Sequence, residues 1–173
     1  MRGFSIRDLT LAALIAAVYA VLTLSLPIPQ YSGVQLRAAE AMAVLPFLFP
    51  AAVPGLFVGC FLANLFSPYP LDVLCGSAAT LLACLLTRRV GNRWLAPLPP
   101  VLCNAAIVGA EIAWFETGFG PGFWAAYAFN ALTVGLGELI ACVLLGELLL
   151  EALPRVRPLR PYMQEGRWAY ALR

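Results

Sequence analysis

Polar residues that could do chemistry are few in this chain, and nearly all of them interrupt apolar stretches. Arg37 and Glu40 stand three apart in Gln35-Leu36-Arg37-Ala38-Ala39-Glu40, a spacing that puts both on one helix face and lets them pair. Asn64, Asp72, Ser77, Thr80, Asn104, Glu111, Asn130 and Glu138 follow, each among aliphatic neighbours. A charged group near the centre of a membrane span costs about 2.5–3.5 kcal/mol, so such groups face a cavity or one another. Two readings stay open for Arg37 and Glu40: an ion pair that anchors a helix end, or part of a ligand site. Glu138 can likewise serve a ligand or an interhelical hydrogen bond. The chemistry on offer is recognition. There is no histidine, no phosphate-binding glycine loop ending in Lys-Ser/Thr, no paired-cysteine zinc spacing and no HExxH. Cys60, Cys75, Cys84, Cys103 and Cys142 are scattered in apolar segments and read as small core hydrophobes, which argues against disulfides and metal.

The elements that must hold these residues are set by composition. With 62% hydrophobic and 12% charged residues in 173, and a mean hydropathy of +0.85, the chain is an all-α integral membrane protein with room for about five or six spans and no soluble catalytic domain. Apolar blocks run over 8–26, 38–49, 51–66, 72–87, 98–117 and 123–150. The prolines of Phe49-Pro50-Ala51-Ala52-Val53-Pro54 break residues 38–66 into two short helices. Charge supports the break: of the 11 basic residues, all but Arg37 then lie on one side, the cytoplasmic one by the positive-inside bias. The expectation is a six-transmembrane-helix bundle over 1–153 with cytoplasmic N- and C-termini. The first block is too long for the core of a signal peptide and reads as a retained helix. Residues 154–173, punctuated by Pro154, Pro158 and Pro161, read as a flexible or interfacial cytoplasmic tail. No basic cluster is interleaved with aromatics on a polar segment, so nucleic acid is not an expected partner.

Depth sorts the polar groups. At 1.5 Å per residue, Asn64 and Asp72 are shallow from the outer face, Trp114 and Asn130 lie in the outer leaflet, Glu111 and Glu138 approach mid-membrane, and Asn104 is deeper. Trp114, Phe115, Phe119, Phe123, Trp124 and Tyr127 gather at the glycine-rich loop after residue 115, either as an interfacial belt or as a lid whose ring stacks on a flat ligand. On the first helix, Ala12, Ala16 and Ala20 form one stripe of small residues with Ala13 and Ala17 beside it, suited to close helix packing inside the bundle or against another subunit.

The stretch Val34-Gln35-Leu36-Arg37-Ala38-Ala39-Glu40, with Val44-Leu45-Pro46-Phe47, Pro54-Gly55-Leu56-Phe57-Val58-Gly59-Cys60 and Ala63-Asn64, resembles the QueT family. So do Asp72-Val73-Leu74-Cys75-Gly76-Ser77, Leu95-Ala96-Pro97-Leu98-Pro99-Pro100 with Asn104, and Val134-Gly135-Leu136-Gly137-Glu138, in family order over about residues 5–153. The resemblance implies a substrate-binding S component of an energy-coupling factor (ECF) transporter that captures a queuosine precursor, a deazaguanine-type base. It implies partners as well: a transmembrane coupling subunit and two ATPases that use the ATP, leaving this chain without a cofactor or enzymatic activity of its own. In that class the alanine stripe of the first helix forms the docking surface, here Ala12, Ala16 and Ala20 or Ala13 and Ala17.

A guanine-like edge offers N–H donors that Glu138 or Glu40 would accept and an amide edge for Asn64, Asn104 or Asn130, with Gln35 or Arg37 on the carbonyl. Trp114 or Trp124 would meet the ring face, and Asp72 or Glu111 an aminomethyl cation. Glu138→Gln and Arg37→Ala are each expected to weaken binding and leave the fold intact. The alternatives are a stand-alone proton-coupled secondary transporter of a small polar heterocycle, with Glu111 or Glu138 as the proton relay, and a membrane enzyme built on carboxylates or cysteines.

Overall fold

A computed structural model describes residues 5–25 and 37–170, and among these every regular element is helical. Helix α1 spans Ile6–Ser25, a tightly wound 3-10 helix spans Ala38–Phe47, and α2 spans Ala52–Asn64. After a single turn at Pro70–Val73 come α3 (Cys75–Arg89), α4 (Leu98–Thr117) and α5 (Phe123–Leu139). Helix α5 continues without interruption through a π-helical stretch, Ile140–Gly146, into α6 (Glu147–Ala152).

The boundaries have local causes. Pro99 and Pro100 sit in the first turn of α4, where their missing N–H groups cost nothing, and Gly118 ends that helix at φ 59°, a conformation that favours glycine. Arg88 and Arg89 close α3 at the negative end of its dipole.

Among the described residues four segments are long and apolar enough to cross a membrane: Ile6–Ser25, Pro70–Arg89, Arg93–Thr117 and Phe123–Arg155. The two helices expected within 38–66 are present but shorter. At about 2.0 Å per residue the 10-residue 3-10 helix rises about 20 Å, and the 13 residues of α2 rise about as far at 1.5 Å each, against a hydrocarbon core of about 30 Å. Arg37, just before the 3-10 helix, donates to the side chain of Asn64 at the end of α2. The two helices therefore run antiparallel, as a hairpin whose tip is residues 48–51.

Small residues face inward and large aliphatic ones outward, the pattern expected where lipid surrounds the bundle. Helix α1 buries Ala12, Ile15, Ala16 and Tyr19 and exposes Leu9, Leu14, Val18 and Val21. Its buried alanines meet α2 backbone to backbone: a Cβ on Gly55 would stand 2.6 Å from the carbonyl oxygen of Ala12, and one on Gly59 2.8 Å from that of Ala16. The main core gathers Ile15, Tyr19, Phe47, Leu48, Leu56 and Leu150, and a smaller cluster joins Ala79 to Val108, Ile112 and Val134 between α3, α4 and α5. The π stretch lies on the 3-10 helix, where Cys142 donates to the carbonyl of Glu40 at 3.2 Å and Gly146 is pressed against Val44.

The tail is not loose over its described part. It folds back under the hairpin tip, with Met163 buried in the core and Leu159 and Tyr162 packed on it. Gln164 donates through its backbone N–H to Leu48 O at 2.7 Å and through its side chain to Pro46 O at 2.9 Å. Arg167 donates to the carbonyls of Val90 (2.7 Å), Arg88 (2.9 Å) and Phe47 (3.4 Å), and its guanidinium lies 4.7 Å from the centre of the Phe47 ring. One side chain thus satisfies carbonyls at the ends of two helices. Arg167→Ala is expected to lower stability by about 1–2 kcal/mol, read as a lower unfolding midpoint, and to speed proteolysis after Pro154. An unchanged midpoint and cleavage rate would mean that the tail does not hold the tip.

Candidate functional site

At the open end of the hairpin three elements are tied by one arginine. Arg37 has extended backbone (φ −103°, ψ 106°) as the cap of the 3-10 helix, so it stands outside the register that would stack it on Glu40. Its guanidinium instead pairs with the Asp72 carboxylate at 2.8 Å and reaches the Asn64 carbonyl oxygen at 3.3 Å. It stays near enough to act on Glu40 electrostatically. Asn64 donates its amide to the backbone carbonyl of Asp72 at 2.9 Å. All three side chains are buried. Gly76, one residue into α3, leaves them room, since a Cβ there would run into the Asp72 carboxylate and stand 2.7 Å from the Asn64 amide nitrogen.

Glu40 is buried one turn further in and accepts a hydrogen bond from the Tyr19 hydroxyl through Oε1. Its Oε2 has no hydrogen-bond partner among the described residues. Tyr19 belongs to the same α1 face as Ala12 and Ala16 and is wholly buried. It did not figure among the sequence candidates, although a hydroxyl in the middle of an otherwise apolar helix is the signal that marks it.

A second polar pair bridges α4 and α5, where Asn104 donates its amide to Glu138 at 2.7 Å. The Cys142 thiol, 3.7 Å from the other Glu138 oxygen, links this pair to the backbone at Glu40. Toward the other end of α5, Asn130 donates its amide to Glu116 at 2.9 Å, and its side-chain Oδ1 is buried without a partner among the described residues. Ser77 is in the same condition.

Glu111 lies apart from these bonds. It lines a cavity of about 540 Å³ whose walls include Leu71 and Cys75 beside α3, Trp114 on α4, and Phe119 and Phe123 at the loop that follows. Trp124, the other ring proposed for stacking, is 74% exposed and packs edge-on against Phe123 instead.

Of the candidates, Arg37, Glu40, Asn64 and Asp72 come together at one end, Asn104 and Glu138 join deeper, Glu111 and Trp114 share the cavity, and Asn130 caps the loop end. Gln35 lies outside the described residues. Among the alanines, Ala12 and Ala16 are consumed by packing on α2, Ala20 is half-buried, and Ala13 and Ala17 face outward. All five cysteines are free thiols. The arrangement suits capture of a small polar molecule: a buried guanidinium and two amides supply donors, and at least three carboxylates supply acceptors within an apolar bundle.

Comparison with curated proteins and with solved structures finds no match. The family model described as QueT transporter matches residues 9–155, which takes in the hairpin, both polar pairs, the Glu111 cavity and all or most of each apolar segment long enough to cross a membrane among the described residues. With those helices and that match, the chain is a multi-pass membrane transport protein and belongs to the QueT transporter family.

Proposed function

We propose that this chain is the substrate-capture S component of an ECF-type importer in a prokaryotic cytoplasmic membrane, binding a queuosine precursor of the deazaguanine type from outside. One observation carries the reading beyond the family: buried acceptors lack donors. Glu40 Oε2, Ser77 Oγ, Asn130 Oδ1 and both Glu111 oxygens have no hydrogen-bond partner among the described residues, and a base with N–H donors along its edge suits such a surplus. Arg37 and the amides of Asn64 and Asn104 would meet its carbonyl side. ATP would be hydrolysed by partner subunits, with no cofactor bound here.

Sidedness follows from parity. Whether the hairpin crosses fully or re-enters from one face, the number of crossings is even and both termini share a side, which the arginines make the cytoplasmic one. The docking face toward a coupling subunit narrows to Ala13 and Ala17, because Ala12 and Ala16 are already packed.

Calorimetric titration of the detergent-purified chain with deazaguanine bases tests the reading, with guanine, riboflavin and thiamine as controls. Tight, selective binding without ATPase subunits is expected. Glu138→Gln keeps a carbonyl for Asn104 but places an amide N–H₂ where the ligand donors should arrive. A loss of about 10- to 100-fold in affinity is expected with an unchanged unfolding midpoint. Uptake into proteoliposomes that lack any ATPase but carry a proton gradient would overturn this reading in favour of a stand-alone secondary transporter.

A further inference from the structure

We infer that residues 156–170 form an inner gate, a strap that closes the cytoplasmic side of the hairpin when docked and opens the way inward when it swings off. The inference rests on the proposed capture from outside and the sidedness drawn with it, and adds the step by which a captured molecule leaves.

The strap lies beyond the residues that the family model matches, which end at 155. The charged and amide groups of the candidate site stand toward the mouth of the hairpin. Toward its tip the interior is apolar, filled by Phe47, Leu48, Leu56 and Leu150. The strap is the last layer of this seal, with Met163 buried in it and Leu159 and Tyr162 packed against it.

The bonds that hold the strap can be exchanged for water. Gln164 bonds Leu48 O at 2.7 Å and Pro46 O at 2.9 Å, and Arg167 bonds Phe47 O at 3.4 Å together with the carbonyls of Arg88 and Val90 at the end of α3. Each acceptor is a main-chain carbonyl at or beside a helix end, which water satisfies once the strap has left. Parting Arg37 from Asp72 at the mouth would instead strand two buried charges. Of the ties that hold the hairpin, those at the tip are the ones that open at low cost. The strap is also shaped to hinge. Pro154, Pro158 and Pro161 fix its local course, and Gly166 turns it back at φ 77°, so that Arg167 reaches the end of α3.

The first test needs no ligand. Membrane vesicles of either orientation are treated with a sulfonated, membrane-impermeant maleimide, and the adduct at Cys84 is followed by mass spectrometry. Cys84 is wholly buried in the same apolar cluster as Met163, and in the wild type it should react slowly from either face. One variant is Gln164→Ala/Arg167→Ala. The other is Gly166→Ala, whose added Cβ meets nothing within 4 Å, so that it strains the turn and leaves every contact residue in place. In both, Cys84 should react about tenfold faster or more when the cytoplasmic face is outward, and no faster in the opposite vesicles. Wild-type rates in both variants, or an equal rise from both faces, overturn the gate.

The second test pins the strap shut. Gln164 N and Leu48 O are 2.7 Å apart, which brings the two residues within disulfide reach, so Leu48→Cys/Gln164→Cys should cross-link on oxidation. The locked chain should bind a deazaguanine base from outside as before but deliver none into cells until it is reduced, with the wild type under the same oxidant as control. Uptake through the cross-linked chain overturns the gate. A wild type that takes up no deazaguanine removes the proposed substrate, and the gate then stands or falls with the Cys84 rates.

Discussion

Replacing Arg37 by alanine should cost the fold about 3–5 kcal/mol, because it strands the Asp72 carboxylate, 2% exposed, without its guanidinium. The loss should appear in chemical or thermal unfolding of the purified chain before any ligand is added. This revises the sequence expectation of a folded but weakly binding variant. Arg37 lies between the 3-10 helix, Asn64 of α2 and Asp72 before α3, so it holds the mouth of the hairpin together whatever else it recognises. The diagnostic comparison is the double variant Arg37→Met/Asp72→Leu. Removing both charges together should recover most of the stability, since a buried pair replaced by apolar groups of similar volume is close to neutral. If Arg37→Ala unfolds at the wild-type midpoint, the pair is not structural.

Gly55→Ala and Gly59→Ala should each destabilise by about 1–3 kcal/mol, although alanine is the better helix former. The added methyl would meet main-chain oxygen, at 2.6 Å on Ala12 and 2.8 Å on Ala16. No side-chain change on α1 can relieve such a clash, so Ala12→Gly should fail to rescue Gly55→Ala. Gly91→Ala, where a Cβ meets nothing within 4 Å, is the neutral control. Rescue by Ala12→Gly would mean that the two backbones are not pressed together.

Helix positions were readable to within a few residues from the apolar blocks: 98–117 coincides with α4, and 8–26 with most of α1. The break at Pro50 and Pro54 was readable for the same reason, since proline chemistry is local. What each side chain faces was not. The i, i+3 spacing suggested Arg37 with Glu40, but the spacing rule holds inside a helix and Arg37 is its extended cap. Gly55 and Gly59, four apart, are the visible half of the α1–α2 contact. The other half is Ala12 and Ala16, and nothing in one sequence says that these two stripes meet rather than that one of them meets a partner. The docked tail was illegible because its bonds run from Gln164 and Arg167 to main-chain carbonyls, which every sequence has.

The π stretch Ile140–Gly146 fits one more residue into each hydrogen-bonded turn than an α-helix would. Deleting a single residue would remove that extra residue and let the segment rewind as α-helix with Gly146 still facing Val44, whereas adding one to regular helix would turn Gly146 by about 100° away from Val44 while Glu138 stays bonded to Asn104. Inherited insertions should be tolerated in the loop at 118–122 and eliminated in 140–146, a stretch of ordinary aliphatic residues in which substitutions alone would give no sign of the constraint.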